Sequence, residues 1–129
     1  MYLIDTSIWI DFLRNKSTTS VQKLEELMSF GEVGINEIIY NEICFGARDI
    51  NQFSKYRHYF GQIPFYSLQN GWHEQVAAIR FKLKKNGVTS FLPDSMIAYT
   101  ALAYDLTLVT KDQDFESFVK YCGIKLLIL

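Results

Sequence analysis

The sequence predicts a three-layer α/β fold, with a central parallel sheet of four to five strands flanked by helices on both faces. Short apolar, β-branched runs alternate from end to end with segments whose apolar residues recur at helical spacing. That order joins parallel strands by crossover helices. The strand candidates are also apolar throughout, as strands covered on both faces are. No linker, low-complexity tract or internal repeat breaks the pattern, and 129 residues make one domain with a sizeable core, spanning 1–129.

Tyr2-Leu3-Ile4 is the first strand, and it delivers Asp5-Thr6-Ser7 at its end. Ile8 to Leu13 is rich in large side chains and reads as one or two helical turns. Thr18 to Ser20 supply caps for an amphipathic helix through Val21, Leu24, Leu27 and Met28, stopped at Phe30-Gly31. Val33-Gly34-Ile35 is a second strand. Asn36 caps a helix from Glu37 to Ala47, with Ile39 and Ile43 inward and Glu42 on the flank of the buried stripe. Glu37 is expected to serve only as a first-turn acid.

A polar-aromatic helix follows over Asp49 to Phe60, then a third, edge-type strand over Ile63 to Ser67, since Pro64 has no N–H to give a ladder. Trp72, Val76, Ile79 and Leu83 mark a long helix closed by Asn86-Gly87, its outer face carrying Lys82, Lys84 and Lys85. Pro93 fits the first position of the next helix, which places Asp94 in the first turn ahead of Ile97, Ala98, Ala101 and Leu102. Leu106 to Thr110 is a strand running directly into Asp112 and Asp114. Phe115, Phe118 and Val119 suggest a short helix, and Ile124 to Ile128 a last strand.

Composition narrows the function. Hydrophobic residues reach 49% and aromatics 16%, with two prolines and seven glycines, which excludes a disordered chain. No run approaches the roughly 18 apolar residues of a membrane span, and Asp5 comes too early for a signal peptide, so a cytoplasmic protein is expected. Cys44 and Cys122 stand far apart with no histidine at ligand spacing and read as small hydrophobes in a reducing compartment. The net charge of −1 argues against a plain basic nucleic-acid binder, yet setting four carboxylates aside leaves +3 on the rest. No catalytic triad is arguable around His58 or His73, and no glycine-rich phosphate loop exists.

In a parallel sheet function gathers at the carboxyl ends of the strands. Asp5, Glu42, Asp94 and Asp112 fall where the chain can bring them to that edge, with Asp114 replacing Asp112 if Asp112 points away. Asp11, Asp49 and Asp105 are assigned to the surface or to caps. Clustered carboxylates either take up protons or gather a cation, and oxygen-only ligands select Mg²⁺ or Mn²⁺. Such a site suits phosphodiester hydrolysis. Thr6 and Thr110, beside the strand-end acids, are candidates for orienting ligands or a phosphate.

The motifs Tyr-Leu-Ile-Asp-Thr-Ser-Ile-Trp-Ile at 2–10, Asn-Glu-Ile-Cys-Phe-Gly-Ala at 41–47, Pro-Asp-Ser-Met-Ile-Ala-Tyr-Thr-Ala at 93–101 and Leu-Val-Thr-Lys-Asp-Gln-Asp-Phe at 108–115 resemble those of PIN-domain nucleases, specifically the VapC toxins. The resemblance covers nearly the whole chain. It implies a PIN-like fold and a Mg²⁺-dependent endoribonuclease, Mn²⁺ substituting, with Asp5, Glu42, Asp94 and Asp112 as the acidic quartet. It also implies an RNA substrate, such as tRNA or another structured RNA, a homodimer, and a cognate VapB-like antitoxin in a hetero-oligomer. Two rivals are a PIN nuclease of RNA processing and a phospho-receiver domain. The receiver needs a phosphoacceptor aspartate after its third strand, where this chain has Ser67.

Overall fold

The computed structural model describes residues 1–129. The elements in chain order are β1 (Tyr2–Ile4), α1 (Thr6–Leu13), α2 (Thr19–Ser29), β2 (Val33–Gly34), α3 (Glu37–Phe45), α4 (Ile50–Phe60), α5 (Trp72–Lys85), α6 (Leu92–Ala103), β3 (Thr107–Thr110), α7 (Glu116–Cys122) and β4 (Lys125–Ile128), with a 3₁₀ turn at Gln113–Phe115 before α7. The four strands form one sheet in the order β2-β1-β3-β4, every pair parallel. Leu3 pairs with Leu108 and Ile4 with Val109.

Successive strand side chains point to opposite faces, and here successive ones are buried: Leu3 and Ile4 in β1, Leu108, Val109 and Thr110 in β3. Both faces of the inner strands are therefore covered by helices. The main core joins Leu3, Ile4, Leu108 and Val109 to Ile8, Trp9, Leu24, Ile39, Phe60, Leu83, Ile97 and Phe118. Trp9 meets the ring of Phe60 edge-on at 5.1 Å. No helix is long and apolar enough to cross a membrane.

The expected third strand over Ile63 to Ser67 is not a strand. Ile35 donates to the Pro64 carbonyl at 3.0 Å, and Tyr66 donates back to Ile35 at 2.9 Å, making a single parallel bridge between Ile35 and Phe65. Beyond it the Tyr66 ring packs over Gly34, where a Cβ would overlap it. Pro64 has no N–H with which to extend the pairing.

The caps follow local chemistry. Thr18, Asn36 and Asp49 each accept a backbone N–H three residues on, at 3.1, 3.0 and 2.8 Å. Asn36 is wholly buried, and its Nδ2 donates to Thr100 Oγ1 at 2.9 Å, which ties α3 to α6. Glu37 is more than a first-turn acid: its two oxygens accept from Leu68 N at 3.0 and 2.9 Å, fastening the loop before α5. Helix α6 begins at Leu92, so Pro93 is its second residue, and Asp94 still lies in the first turn.

Candidate active site

The carboxyl end of β1 is where the site begins. Asp5 N donates to Val109 O at 2.9 Å, carrying the β1–β3 ladder one residue past Ile4. The chain then turns at once into α1, with Asp5 as its cap: Oδ1 accepts from Thr6 N at 2.8 Å. Oδ2 accepts from Thr110 Oγ1 at 2.7 Å and from Ser7 Oγ at 3.4 Å. Thr110 is wholly buried at the end of β3, and its oxygen also accepts Asp112 N at 3.0 Å. One threonine hydroxyl thus links the acids that end the two central strands.

Glu42 joins from α3. The expectation placed it beside the buried stripe; the structure exposes it and binds its Oε1 to Thr6 Oγ1 at 2.7 Å. Asp94 enters from the first turn of α6 and is half-buried. Asp112 is exposed and caps the 3₁₀ turn, its Oδ1 accepting Asp114 N at 2.9 Å. The four sequence-derived acids meet at one edge, with Asp5 as the floor and Glu42 and Asp112 on the rim. Thr6 and Thr110 hold carboxylates in place.

Burial, followed by the charges of Asp5, Asp112, Glu42 and Asp114, pushes the Asp94 carboxyl up to about 6. Burial raises Asp5 too, against the hydrogen bonds from Thr110 and Thr6 that lower it, with Glu42 and Asp112 adding to the rise. Both Asp112 and Asp114 act on Asp94, whereas Asp112 alone of the two acts on Asp5, so Asp112 lies toward the floor of the site. Asp114 lies toward the outer cleft that it lines with Asp94.

The cation nearest in sequence is turned away. Lys111, between Thr110 and Asp112, is hydrogen-bonded to Asp11 Oδ2, and Lys16 reaches Asp11 Oδ1 at 3.2 Å. Asp11, expected at the surface, is 6% exposed beneath these lysine stems. This pairing is the feature the sequence reading missed. No local signal marked it, because Asp11 in α1 and Lys111 just past β3 are 100 residues apart in the chain.

A family model described as a PIN domain matches residues 2–121. The chain belongs to the PIN-domain family. It is 22% identical to Ribonuclease VapC11 of Mycobacterium tuberculosis over 129 residues, covering 97% of this chain and 96% of the relative. Among solved structures it is similar to VapBC2 from Rickettsia felis bound to a promoter DNA fragment, with a TM-score of 0.78 and 19% identity over 99% of this chain and 98% of that one. It is also similar to FitAcB from Neisseria gonorrhoeae, with a TM-score of 0.77 and 22% identity over 98% and 96%.

The donor set of this PIN domain fits a hard divalent ion. Every side chain at the edge offers oxygen, and no lysine or arginine is bonded to the four acids. No three acidic, histidine or cysteine side chains stand close enough to hold an ion between them, Asp5, Glu42 and Asp112 each being drawn to its own donor. An ion taken by one or two carboxylates directly and by water elsewhere needs no closer cluster than this.

Proposed function

We propose that this PIN domain is the toxin of a type II toxin–antitoxin pair, an endoribonuclease that hydrolyses RNA phosphodiester bonds with Mg²⁺, or Mn²⁺ in its place. The observation that carries the reading is the meeting of Asp5, Glu42, Asp94 and Asp112 at one sheet edge while the adjacent lysine is bound elsewhere. The names of the relatives, ribonucleases and toxin–antitoxin complexes, support both the activity and the pairing.

Asp5 and Asp94 would hold the ion most directly, with Glu42 and Asp112 completing its surroundings through carboxylate or water. Polarisation of the phosphoryl group and acidification of the attacking water are what such an ion supplies when bound. The chain does the rest. Thr110 and Thr6 N fix Asp5 by both oxygens, and Thr6 Oγ1 fixes Glu42, so the carboxylates are aimed before substrate arrives. The rise of the Asp94 carboxyl to about 6 reflects how unfavourable its charge is there without a cation.

A VapB-like antitoxin is the proposed partner, in a hetero-oligomer built on a homodimer of this chain. Asp5→Asn is expected to abolish Mn²⁺-dependent cleavage of RNA and to relieve growth arrest on expression, with the circular dichroism of the wild type. A variant that still cuts would refute the reading; RNA cleavage without growth arrest would instead favour a processing nuclease.

A further inference from the structure

Two clefts adjoin at the segment between α5 and α6. One, of about 170 Å³, is walled by Asp94 and Asp114; the other, of about 500 Å³, by Arg80, Phe81 and Lys84 at the end of α5. Val88, Thr89 and Ser90 line both, so a continuous floor runs from the acids to the cations. Arg80 Nη2 donates to Ser90 O at 3.3 Å, tying the guanidinium to that floor.

The two cations of the groove face no carboxylate. The chain's ion pairs use Lys16, Lys23, Arg48, Lys111 and Lys125, and none uses Arg80 or Lys84. Beside them Phe81 is 63% exposed, with the Lys85 ammonium over its ring 5.9 Å from the centroid, and Phe91, in the acidic cleft, is 67% exposed. Cations outside ion pairs, hydroxyls and exposed aromatic rings in one groove are what a single-stranded nucleic acid uses: charge for its phosphates, a flat face for a base.

We propose that this groove binds the unpaired RNA strand flanking the scissile phosphate, with Arg80 and Lys84 on neighbouring phosphates and Phe81 stacked on a base. The proposal rests on the nuclease reading and adds the path of the substrate. A polyanion lying across a carboxylate site is repelled beyond the reach of one metal ion, so adjoining phosphates need cations of their own. An acidic peptide would meet the same charges but has no flat base for Phe81 and no need to run on to the carboxylates.

The test is the binding of a fluorescein-labelled oligouridylate by anisotropy, with Ca²⁺ present and salt varied. Arg80→Glu/Lys84→Glu is expected to weaken binding by about tenfold or more and to flatten the slope of log K against log salt by about 1.4, the share of two single-strand phosphates. Should the reversal fold poorly by circular dichroism, Arg80→Gln/Lys84→Gln should give the same loss of slope. Phe81→Ala is expected to cost roughly five- to 150-fold, the range for one stacked base, with the slope unchanged.

Wild-type affinity and slope in the reversed protein would overturn the proposal. So would an equal loss in Lys55→Glu/Arg57→Glu on α4, equal binding of an A-form duplex, or loss of polyglutamate binding with RNA binding intact. Groove-dependent binding by a protein that cuts nothing with Mn²⁺ would sink the nuclease reading and leave the groove standing.

Discussion

Asp11 and Asp94 are two carboxylates on helices that reach the same region of the sheet edge, and they meet opposite fates. Asp11 takes Lys111 and then Lys16 as partners, and these hold its carboxyl below the usual aspartate range. Asp94 has no cation, and burial with its acidic neighbours lifts it to about 6. Lys111 follows Thr110 directly and could have neutralised either side. The chain spends its lysine on the acid outside the cleft and leaves inside it a negative charge that something external must balance.

The sharpest way to break this comparison is to neutralise each acid in turn and measure RNA cleavage at saturating Mn²⁺. Asp94→Asn is expected to lower kcat on the order of a thousandfold, the loss of about 4 kcal/mol of transition-state stabilisation. Asp11→Asn should stay within about threefold of wild type, a difference under 1 kcal/mol. Comparable losses in both would mean that the Lys111 pairing belongs to the catalytic apparatus.

Thr110→Val keeps the shape of a buried side chain and removes one hydroxyl, which serves Asp5 as donor and Asp112 N as acceptor. Its loss should lower kcat by about ten- to 100-fold by loosening the carboxylates. It should also cost about 1–3 kcal/mol of stability through the unpaired groups. Thr110→Ser restores the hydroxyl and should recover most of the rate. A thermal melt with a kinetic assay of both variants checks this; a valine variant as fast as wild type would reduce Thr110 to core packing.

The legibility of these residues in the sequence divides along physical lines. Strand-end and helix-start acids follow from local rules, since a strand delivers its next residue to the sheet edge and a proline-led helix sets the following aspartate in its first turn. The places of Asp5, Asp94 and the Asp112/Asp114 pair at that edge were legible in that way, as were the four strands of the sheet. The bridge at Phe65 was overread because Ile63 to Ser67 has strand composition, while its pairing depends on how Tyr66 lies over Gly34. The partners of Asp11 and Glu37 were illegible because Lys111 and Leu68 are distant in sequence, and no local pattern announces which charge a lysine will choose.

Metal-free stability separates the two acids by sign. A carboxyl whose folded pKa is raised binds its proton more tightly in the folded state, so stability falls as pH climbs from 3.8 to about 6. Asp94→Asn should therefore stabilise the metal-free protein above pH 6. The gain is about 1 kcal/mol once solvent screening of this half-exposed group is allowed for, some 4 °C in Tm, and it vanishes below pH 4. Mn²⁺ should raise the Tm of the wild type and cancel this advantage. No gain in the variant at pH 7.5 would mean that neither burial nor the acids of the cleft strain the Asp94 carboxylate.

Asp11 runs the other way, and the effect is the smallest. Its folded pKa is lowered, so its contribution is present above pH 3.8 and is lost as pH falls through the folded value. Held by two lysines that are themselves well exposed to solvent, the carboxylate is worth about 1 kcal/mol or less, and Asp11→Asn should lower Tm only slightly. Its informative consequence is at a distance. With Asp11 neutral, Lys111 loses its partner and is free to turn toward the acids on either side of it, competing with the divalent ion for their charge. Mn²⁺ affinity, read by calorimetry, should then weaken about fivefold, the reach of one cation across roughly 8 Å of water. Asp11→Asn/Lys111→Met should restore it. Unchanged affinity in the single variant would show that Lys111 is kept out of the cleft by its backbone and not by Asp11.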